Sequence, residues 1–178
     1  VVQDIPSLDI ERRKIHFFVG PNGAGKTMMM GLLSLLSPPT EGKLVFDGVP
    51  VFPSGRSSPK GMRKVTLVSQ DPYLFDATVL ANATYGLRRQ GLPGREARAA
   101  AAEMLSLVGL RGMEDRKART LSGGEGKRLA IARALALRPE VMLLDEPTAN
   151  VDAANVRIVE DLLREAHARF RTTIVATT

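Results

Sequence analysis

The clearest indication of the architecture of this chain is the segment Gly20-Pro-Asn-Gly-Ala-Gly-Lys26-Thr27. Before it stands a short apolar run, residues 14–19 (KIHFFV), which predicts a buried strand, and after it residues 27–36 predict a helix. Two glycines, a lysine and a hydroxyl at this spacing, between a strand and a helix, are typical of a phosphate-binding loop. The glycines let the backbone approach phosphate oxygens, and the loop N–H groups, the helix dipole and the lysine charge then act on one anion. This pattern alone indicates an NTPase or a kinase and does not say which.

The rest of the chain alternates short apolar runs with helical stretches. Strands are predicted at residues 43–46, 49–52, 65–69, 141–144 and 173–177, and Asp47-Gly48 joins the first two as a hairpin. Helices are predicted at residues 124–136 and 155–169, whereas residues 71–119 carry mainly helical signals, clearest at 97–108, with a loop at 91–94. The sequence therefore predicts an α/β fold, a P-loop NTPase core with a mostly parallel sheet, a small antiparallel β portion and an inserted helical subdomain. We expect a single domain, residues 1–178, with its core at 1–70 and 120–178 and the helical subdomain at 71–119.

The composition excludes several classes of protein. With 178 residues, 44% hydrophobic and 25% charged, the chain fits one soluble globular domain. No apolar run approaches the roughly 20 residues that span a bilayer, and residues 1–9 do not predict a signal peptide. Cysteine is absent, and we expect His16 and His167 to be structural, so no disulfide, thiolate site or histidine-rich metal site is predicted. The net charge of +6 is scattered and aromatics make up 4%, which favours a solvated basic surface over a nucleic-acid platform.

Two carboxylates follow the strand predicted at residues 141–144. Asp145 and Glu146 then lie at the carboxyl edge of the sheet, where open α/β folds bind ligands. Asp145 would hold Mg²⁺ through its water shell, and Glu146 would accept a proton from an attacking water. An ordinary acidic pair at a strand end is the alternative, and the phosphate-binding loop favours the catalytic interpretation. Gln70 follows another predicted strand and could touch Mg²⁺ or the water, or be a surface glutamine before a turn.

A second glycine motif, Leu121-Ser-Gly-Gly-Glu125, precedes the helix at 124–136. Ser122 and Glu125 form the spacing of a capping box, which satisfies two backbone donors at a helix start and contributes about 1 kcal/mol without any function. The same helix start could bind a second anion, because Gly123 and Gly124 allow a close approach. The two interpretations are compatible.

Taken together, these motifs resemble those of the ABC ATPase family over essentially the whole chain. GPNGAGKT is similar to its Walker A motif, LSGGE to its signature, VMLLDE to its Walker B motif, PTANVD to its D-loop, and Gln70 in SQDP to its Q-loop. The resemblance implies ATP and Mg²⁺ as ligands, catalytic roles for Glu146, Lys26 and Gln70, and Mg²⁺ held by Thr27, Gln70 and Asp145. It assigns nucleotide binding to Gly20, Pro21, Asn22, Gly23, Ala24, Gly25, Lys26, Thr27, Met28, Ser122, Gly123, Gly124 and Glu125.

The family resemblance also implies partners. Two ATPase subunits would dimerise head to tail, with each nucleotide between the Walker A motif of one copy and the signature of the other. Asp152 would line the dimer contact, and residues 72–85 would face the coupling helix of a transmembrane permease subunit. We therefore expect a peripheral protein at the cytoplasmic face of the cell membrane, without nucleic acid as a partner.

The sequence departs from the family pattern at several positions. Met28 replaces a second hydroxyl residue, Glu125 the common glutamine, and Lys127 the next glutamine. Glu125 would bring a carboxylate near the partner's phosphate unless its capping role turns it away. The family's adenine-stacking aromatic and its switch histidine are not found, so we expect a core truncated at both ends.

The distance between the motifs, and the residues just before the signature, indicate which kind of ABC protein this chain resembles. The modest insert between Lys26 and Leu121 excludes relatives with long coiled coils, and residues 115–120 (DRKART) do not resemble the segment before an exporter signature. An importer is therefore favoured, and EPTANVD with LFDATVLANATYGL resembles importers of oxyanions such as tungstate or molybdate. A soluble ABC ATPase acting in translation or DNA repair and a non-catalytic nucleotide-binding regulator remain alternatives.

Overall fold

The computed structural model describes residues 4–21, 23–52, 64–149 and 153–178. Its strands and helices run in this order: β1 Ile15–Phe18, α1 Lys26–Leu33, β2 Val45–Phe46, β3 Val49–Pro50, β4 Val65–Val68, α2 Val79–Arg89, α3 Gly94–Leu107, α4 Gly123–Ala136, β5 Val141–Leu144, α5 Ala153–Phe170 and β6 Thr173–Thr177. A short 3-10 helix, Ala118–Thr120, precedes α4.

Four strands form a parallel sheet in the order β1-β6-β5-β4. Because the strands are parallel, their carboxyl ends meet at one edge of the sheet. The glycine-rich loop follows β1, Gln70 follows β4, and Asp145-Glu146 follows β5, so three predicted motifs reach the same edge. The predicted α/β fold is confirmed.

Strands β5 and β6 are buried on both faces of this sheet. Met142 and Ile174 point into a cluster shared with α2, α3, α4 and α5, whereas Leu143 and Val175 pack with Met30 of α1 on the opposite face. This explains why both strands read as continuous apolar runs and not as an alternation of apolar and polar residues. The core therefore holds the carboxyl end of β5 rigidly between two packed layers.

Strands β2 and β3 form the small antiparallel hairpin. Asp47 and Gly48 have φ values of 52° and 74°, the left-handed conformation that a type I′ turn requires at both central positions. The hairpin predicted from Asp47-Gly48 is therefore present, with both residues in the backbone conformation that its turn needs.

The segment between β4 and β5 is helical. Helices α2 and α3 pack on α4, and Gly86 makes a close approach possible, since a Cβ there would lie 2.8 Å from Leu137 Cδ2. Asn82 is fully buried, and its side chain bonds the backbone of Phe75 and Thr78, which holds the loop before α2. A helical insertion is therefore present, while its exact limits at residues 71 and 119 stay a prediction.

Charged groups also join this insertion to the rest of the fold. Glu103 of α3 accepts hydrogen bonds from Arg138, at 2.7 Å, and from Arg169 at the end of α5. Both guanidinium groups also lie over the ring of Phe170, with centroid distances of 3.9 and 5.2 Å. The insertion is thus attached to the core by contacts at the molecular surface as well as by the buried cluster.

Three helices differ in extent from the expectation. Helix α1 ends at Leu33, before the predicted residue 36, and Leu35 has a φ of 62° that no α-helix accommodates. Helix α3 begins at Gly94, directly after Pro93, instead of at residue 97. Helix α5 begins at Ala153 and ends at Phe170, slightly longer than residues 155–169.

Candidate nucleotide site

The glycine-rich loop leads into α1 without a capping side chain. Gly23 and Gly25 have φ values of 83° and 88°, and Gly25 is the N-cap of the helix. Within the described residues no side chain caps α1, and its first turn has no acidic residue. The first N–H groups of a helix lack intrahelical acceptors and carry the positive end of the dipole. This helix start therefore offers donors to an anion, which fits a phosphate.

Lys26 lies folded over this loop. Its Nζ donates to the carbonyl of Gly20 at 2.7 Å and to that of Pro21 at 3.3 Å. The same Nζ lies 3.5 Å from Glu146 Oε1, across 120 residues of sequence, and only 10% of the Lys26 side chain is exposed. The ammonium is thus held at the loop by two carbonyls and one carboxylate, each of which a phosphate oxygen could replace.

The acidic pair forms the opposite wall of the site. Asp145 N donates to Val68 O at 2.9 Å, which ties the end of β5 to the end of β4. Asp145 is 5% exposed, and Glu146 has a φ of 45°, unusual for a residue other than glycine. The carboxylate of Asp145 is therefore nearly buried, whereas Glu146 turns towards Lys26.

Thr177, which the sequence analysis missed, connects these two acidic residues. Its hydroxyl donates to Asp145 Oδ1 and accepts from Glu146 N, both at 2.8 Å. The parallel register pairs Leu144 with Ala176, so the next residues of the two strands lie side by side. The only signal in the sequence was a hydroxyl at the end of the strand predicted at residues 173–177, and its meaning depended on a strand order that the sequence did not give.

The oxygen atoms at this edge fit a hard cation. In the part of the chain that the structure describes, no hydrogen bond reaches Asp145 Oδ2, although the residue is nearly buried. The hydroxyl of the exposed Thr27 likewise has no bond to the described residues, and Mg²⁺ prefers carboxylate, hydroxyl and water oxygens. Gln70 lies at the same edge, half-buried, without a hydrogen bond to Lys26, Asp145 or Glu146 among the described residues.

The second glycine motif forms the expected capping box. Ser122 Oγ accepts from Glu125 N at 3.3 Å, and Glu125 Oε2 accepts from Ser122 N at 2.7 Å. The hydrogen bond from Ser122 N lowers the pKa of Glu125, and the positive charges of nearby Arg116 and Arg128 lower it further by smaller amounts. The carboxylate of Glu125 therefore turns back onto its own helix, while Ser122 and Gly123 remain exposed and Gly124 is half-buried.

The two glycine motifs make different contacts. Lys26 bonds its own loop and pairs with Glu146, whereas Ser122 and Glu125 bond each other and Glu125 also pairs with Arg116. The side chain of Met28 is exposed. Asn22 and Asp152 lie outside the described residues. The chain therefore carries two separate glycine-rich helix starts, of which that of α1 is uncapped and that of α4 carries its own capping box.

The remaining singled-out side chains make local contacts. Nitrogens of His16 and His167 bond the carbonyls of Glu11 and Thr172, each at 2.9 Å. Lys127 donates to the carbonyl of Ala149, in the loop that follows Glu146. This lysine, one of the departures from the family pattern, thus links α4 to the segment after the acidic pair.

Comparison with known proteins identifies the family. The sequence profile described as ABC transporter matches residues 4–149. The chain belongs to the ABC transporter family. It is 38% identical to a phosphate import ATP-binding protein, PstB 2, of Natronomonas pharaonis, over 96% of this chain and 64% of that protein. It is 43% identical to an Fe(3+) ions import ATP-binding protein, FbpC, of Rhizobium etli, over 97% of this chain and 48% of that protein.

Solved structures of ABC proteins have the same fold. The structure of cbiO1 from Clostridium perfringens, part of the ABC transporter complex cbiONQ, superposes with a TM-score of 0.85 at 32% identity, over 96% of this chain and 69% of that one. The dimeric cassette MJ0796 bound to ADP and Pi gives a TM-score of 0.83 at 30% identity, over 96% of this chain and 77% of that one.

This ABC transporter chain spans 64% of the length of the phosphate import protein and about half of the length of the iron import protein. Among its described residues, none of the helices combines the length and apolar character needed to cross a bilayer.

Proposed function

We propose that this chain binds and hydrolyses ATP and that it powers import through a membrane ABC transporter. The observation that carries the proposal is the position of the Lys26 ammonium, 3.5 Å from Glu146 at the uncapped start of α1. A cation for the phosphates and a base for the water then lie at one edge of the sheet. The import ATP-binding proteins among its relatives support the transport role.

Each residue of this edge has a role in the proposed reaction. The loop amides and Lys26 bind the β- and γ-phosphates, with Lys26 leaving Glu146 as the phosphates arrive. Glu146, once released, accepts a proton from the attacking water. Thr27, Gln70 and Asp145 would hold Mg²⁺, which when bound neutralises phosphate charge. Lys26 and Glu146 thus form an ion pair that separates when ATP binds.

A second copy completes the site in this proposal. Ser122 and Gly123 are exposed, and Ser122 bonds Glu125 at the start of its own helix. Ser122, Gly123 and Gly124 of one subunit would bind the γ-phosphate held by the other, in a head-to-tail homodimer. The dimeric MJ0796 cassette bound to ADP and Pi supports the formation of a dimer. Because Glu125 turns back onto its helix, its carboxylate does not oppose the phosphate.

The surface after Gln70 supplies a docking site for the permease. Tyr73 and Tyr85 are 73% and 46% exposed, and both rings contact Phe75. Buried Asn82 holds the loop that carries these rings, so the aromatic surface is presented rigidly. We place the chain at the cytoplasmic face of the membrane through this contact.

The proposed cargo is an oxyanion of the tungstate or molybdate type. The phosphate import relative and the resemblance of residues 74–87 support this class, whereas the iron import relative favours a metal cation. Transport assays with both kinds of ion, in vesicles that contain the complete transporter, distinguish them. The alternative of a translation or nucleic-acid ATPase receives no support from these relatives.

The Lys26→Ala variant tests the proposed activity. We expect it to lose ATP binding and phosphate release in the full-length protein, because the Lys26 ammonium lies at the loop, bonded to two of its carbonyls. Lys14→Ala is the matched control, since this lysine pairs with Glu11 on the exposed surface. Wild-type turnover in Lys26→Ala would contradict the proposal, and ATP binding without turnover in the wild type would favour the regulator instead.

A further inference from the structure

We propose that Thr177 is a positioning residue for hydrolysis, through one hydroxyl that bonds both acidic residues of the site. This inference rests on the proposed function, because it assumes that Asp145 and Glu146 act in ATP hydrolysis. None of the recognised motifs includes Thr177, which is the last residue of β6.

The direction of both hydrogen bonds is determined by their chemistry. A backbone N–H can only donate, so the bond from Glu146 N occupies a lone pair of the Thr177 oxygen. The single hydroxyl proton then goes to Asp145 Oδ1, an acceptor at 2.8 Å. Thr177 is 1% exposed, so water does not compete for either bond. The hydroxyl is therefore locked in one orientation.

This arrangement gives each carboxylate a defined direction. With Oδ1 of Asp145 engaged, Oδ2 is the oxygen left for the cation and its water shell. The bond to Glu146 N supports a backbone with a φ of 45°, from which the Glu146 side chain reaches Lys26. Hydrogen-bond partners of this kind orient ligating groups, and their loss typically reduces metal affinity or activity by about 10–100-fold.

A purely structural role for the hydroxyl is the competing explanation, and β6 contains its own control. Thr173, at the other end of the strand, is 3% exposed, and its Oγ1 accepts from Arg13 N at 2.9 Å. It is equally buried and hydrogen-bonded but lies at the amino edge, away from the acidic pair. Removing its hydroxyl should cost stability without reaching the site.

The experiment compares Thr177→Val, Thr177→Ser and Thr173→Val in the full-length protein. We expect Thr177→Val to lower kcat by about 10–100-fold, while the affinity for ATP without divalent cations stays unchanged because the loop and Lys26 are intact. Mn²⁺ binding, followed by electron paramagnetic resonance with a non-hydrolysable ATP analogue, should weaken in the same variant. Thr177→Ser should restore both properties, and Thr173→Val should lower only the thermal unfolding temperature.

Specific outcomes would overturn the proposal. If Thr177→Val matched Thr173→Val in kcat and Mn²⁺ affinity, the hydroxyl would be structural. If Thr177→Ser were as impaired as Thr177→Val, packing of the methyl group would be responsible. Should Thr177→Val fail to fold, Thr177→Ala against Thr173→Ala makes the same comparison. A wild type that neither binds nor hydrolyses ATP refutes the proposed function itself, whereas an active wild type with an equally active Thr177→Val refutes only the role of Thr177.

Discussion

Replacing Glu146 by glutamine should make the protein bind ATP more tightly while it stops hydrolysis. In the structure Glu146 holds the Lys26 ammonium at 3.5 Å, so a phosphate has to displace this carboxylate before Lys26 can bind it. Glutamine keeps the shape of the side chain but removes both the competing charge and the base. Affinity and turnover should therefore change in opposite directions.

The size of the gain in affinity follows from the geometry of the pair. At 3.5 Å and an effective dielectric constant of about 20, the Coulomb attraction is about 5 kcal/mol, which is an upper limit. Fully exposed pairs contribute only about 0.2–1 kcal/mol. Lys26 is 10% exposed and Glu146 23%, so this pair lies between these limits. We expect ATP binding to improve by about 1–2 kcal/mol, or roughly 5–30-fold in Kd.

A fluorescent ATP analogue, titrated without divalent cations, measures this affinity in the absence of hydrolysis. The gain should shrink at high salt, because the screening length falls from about 10 Å at 0.1 M to about 3 Å at 1 M. Glu11→Gln is the control, since Glu11 forms an exposed pair with Lys14 outside the site. Unchanged or weaker binding in Glu146→Gln would refute the competition between carboxylate and phosphate, and normal phosphate release would assign the base elsewhere.

Two further variants examine the start of α4. Ser122→Ala removes the N-cap of α4, so it should cost about 1 kcal/mol of stability, and it should also abolish hydrolysis. Thr78→Ala removes the equivalent N-cap of α2, so it should cost a similar amount but leave hydrolysis intact. Equal turnover in the two, measured by phosphate release, would make Ser122 a cap only. Glu125→Gln should lose the stabilisation that the Glu125 carboxylate gives the folded state. Because folding lowers the pKa of Glu125, this stabilisation is complete above the ordinary pKa of about 4.3 and disappears as the pH falls through the pKa of the folded state. Urea unfolding from pH 3 to 7 should show the two proteins converging in acid, and a constant difference would contradict this.

Local patterns in the sequence were sufficient for the fold. The apolar runs of β5 and β6 are buried on both faces, so length and flanking residues identify them as parallel strands without further information. The Asp47-Gly48 turn is equally local, because its backbone conformation depends on these two residues. The end of α1 was predicted less well, since Leu36 continues the apolar pattern although it is 65% exposed beyond the helix.

The candidate site was only partly predictable, because its decisive contacts join distant parts of the chain. The motifs named Lys26 and Glu146 separately, but nothing local states that the two form an ion pair. The role of Thr177 depends on the register between β5 and β6, which is a tertiary property. The orientation of Glu125 was an open question that the capping geometry answers.

Because the start of α1 has no side-chain cap, ligand binding there should change the local order of the backbone. Helices of eight residues are marginal by themselves, and this one begins at a glycine with no side chain to close its first turn. An anion bound there supplies the missing acceptors, so occupancy and local backbone order are thermodynamically linked. Amide hydrogen exchange at the beginning of α1 should therefore slow when nucleotide is present. The exchange rate of this first turn then measures how much of the protein has nucleotide bound.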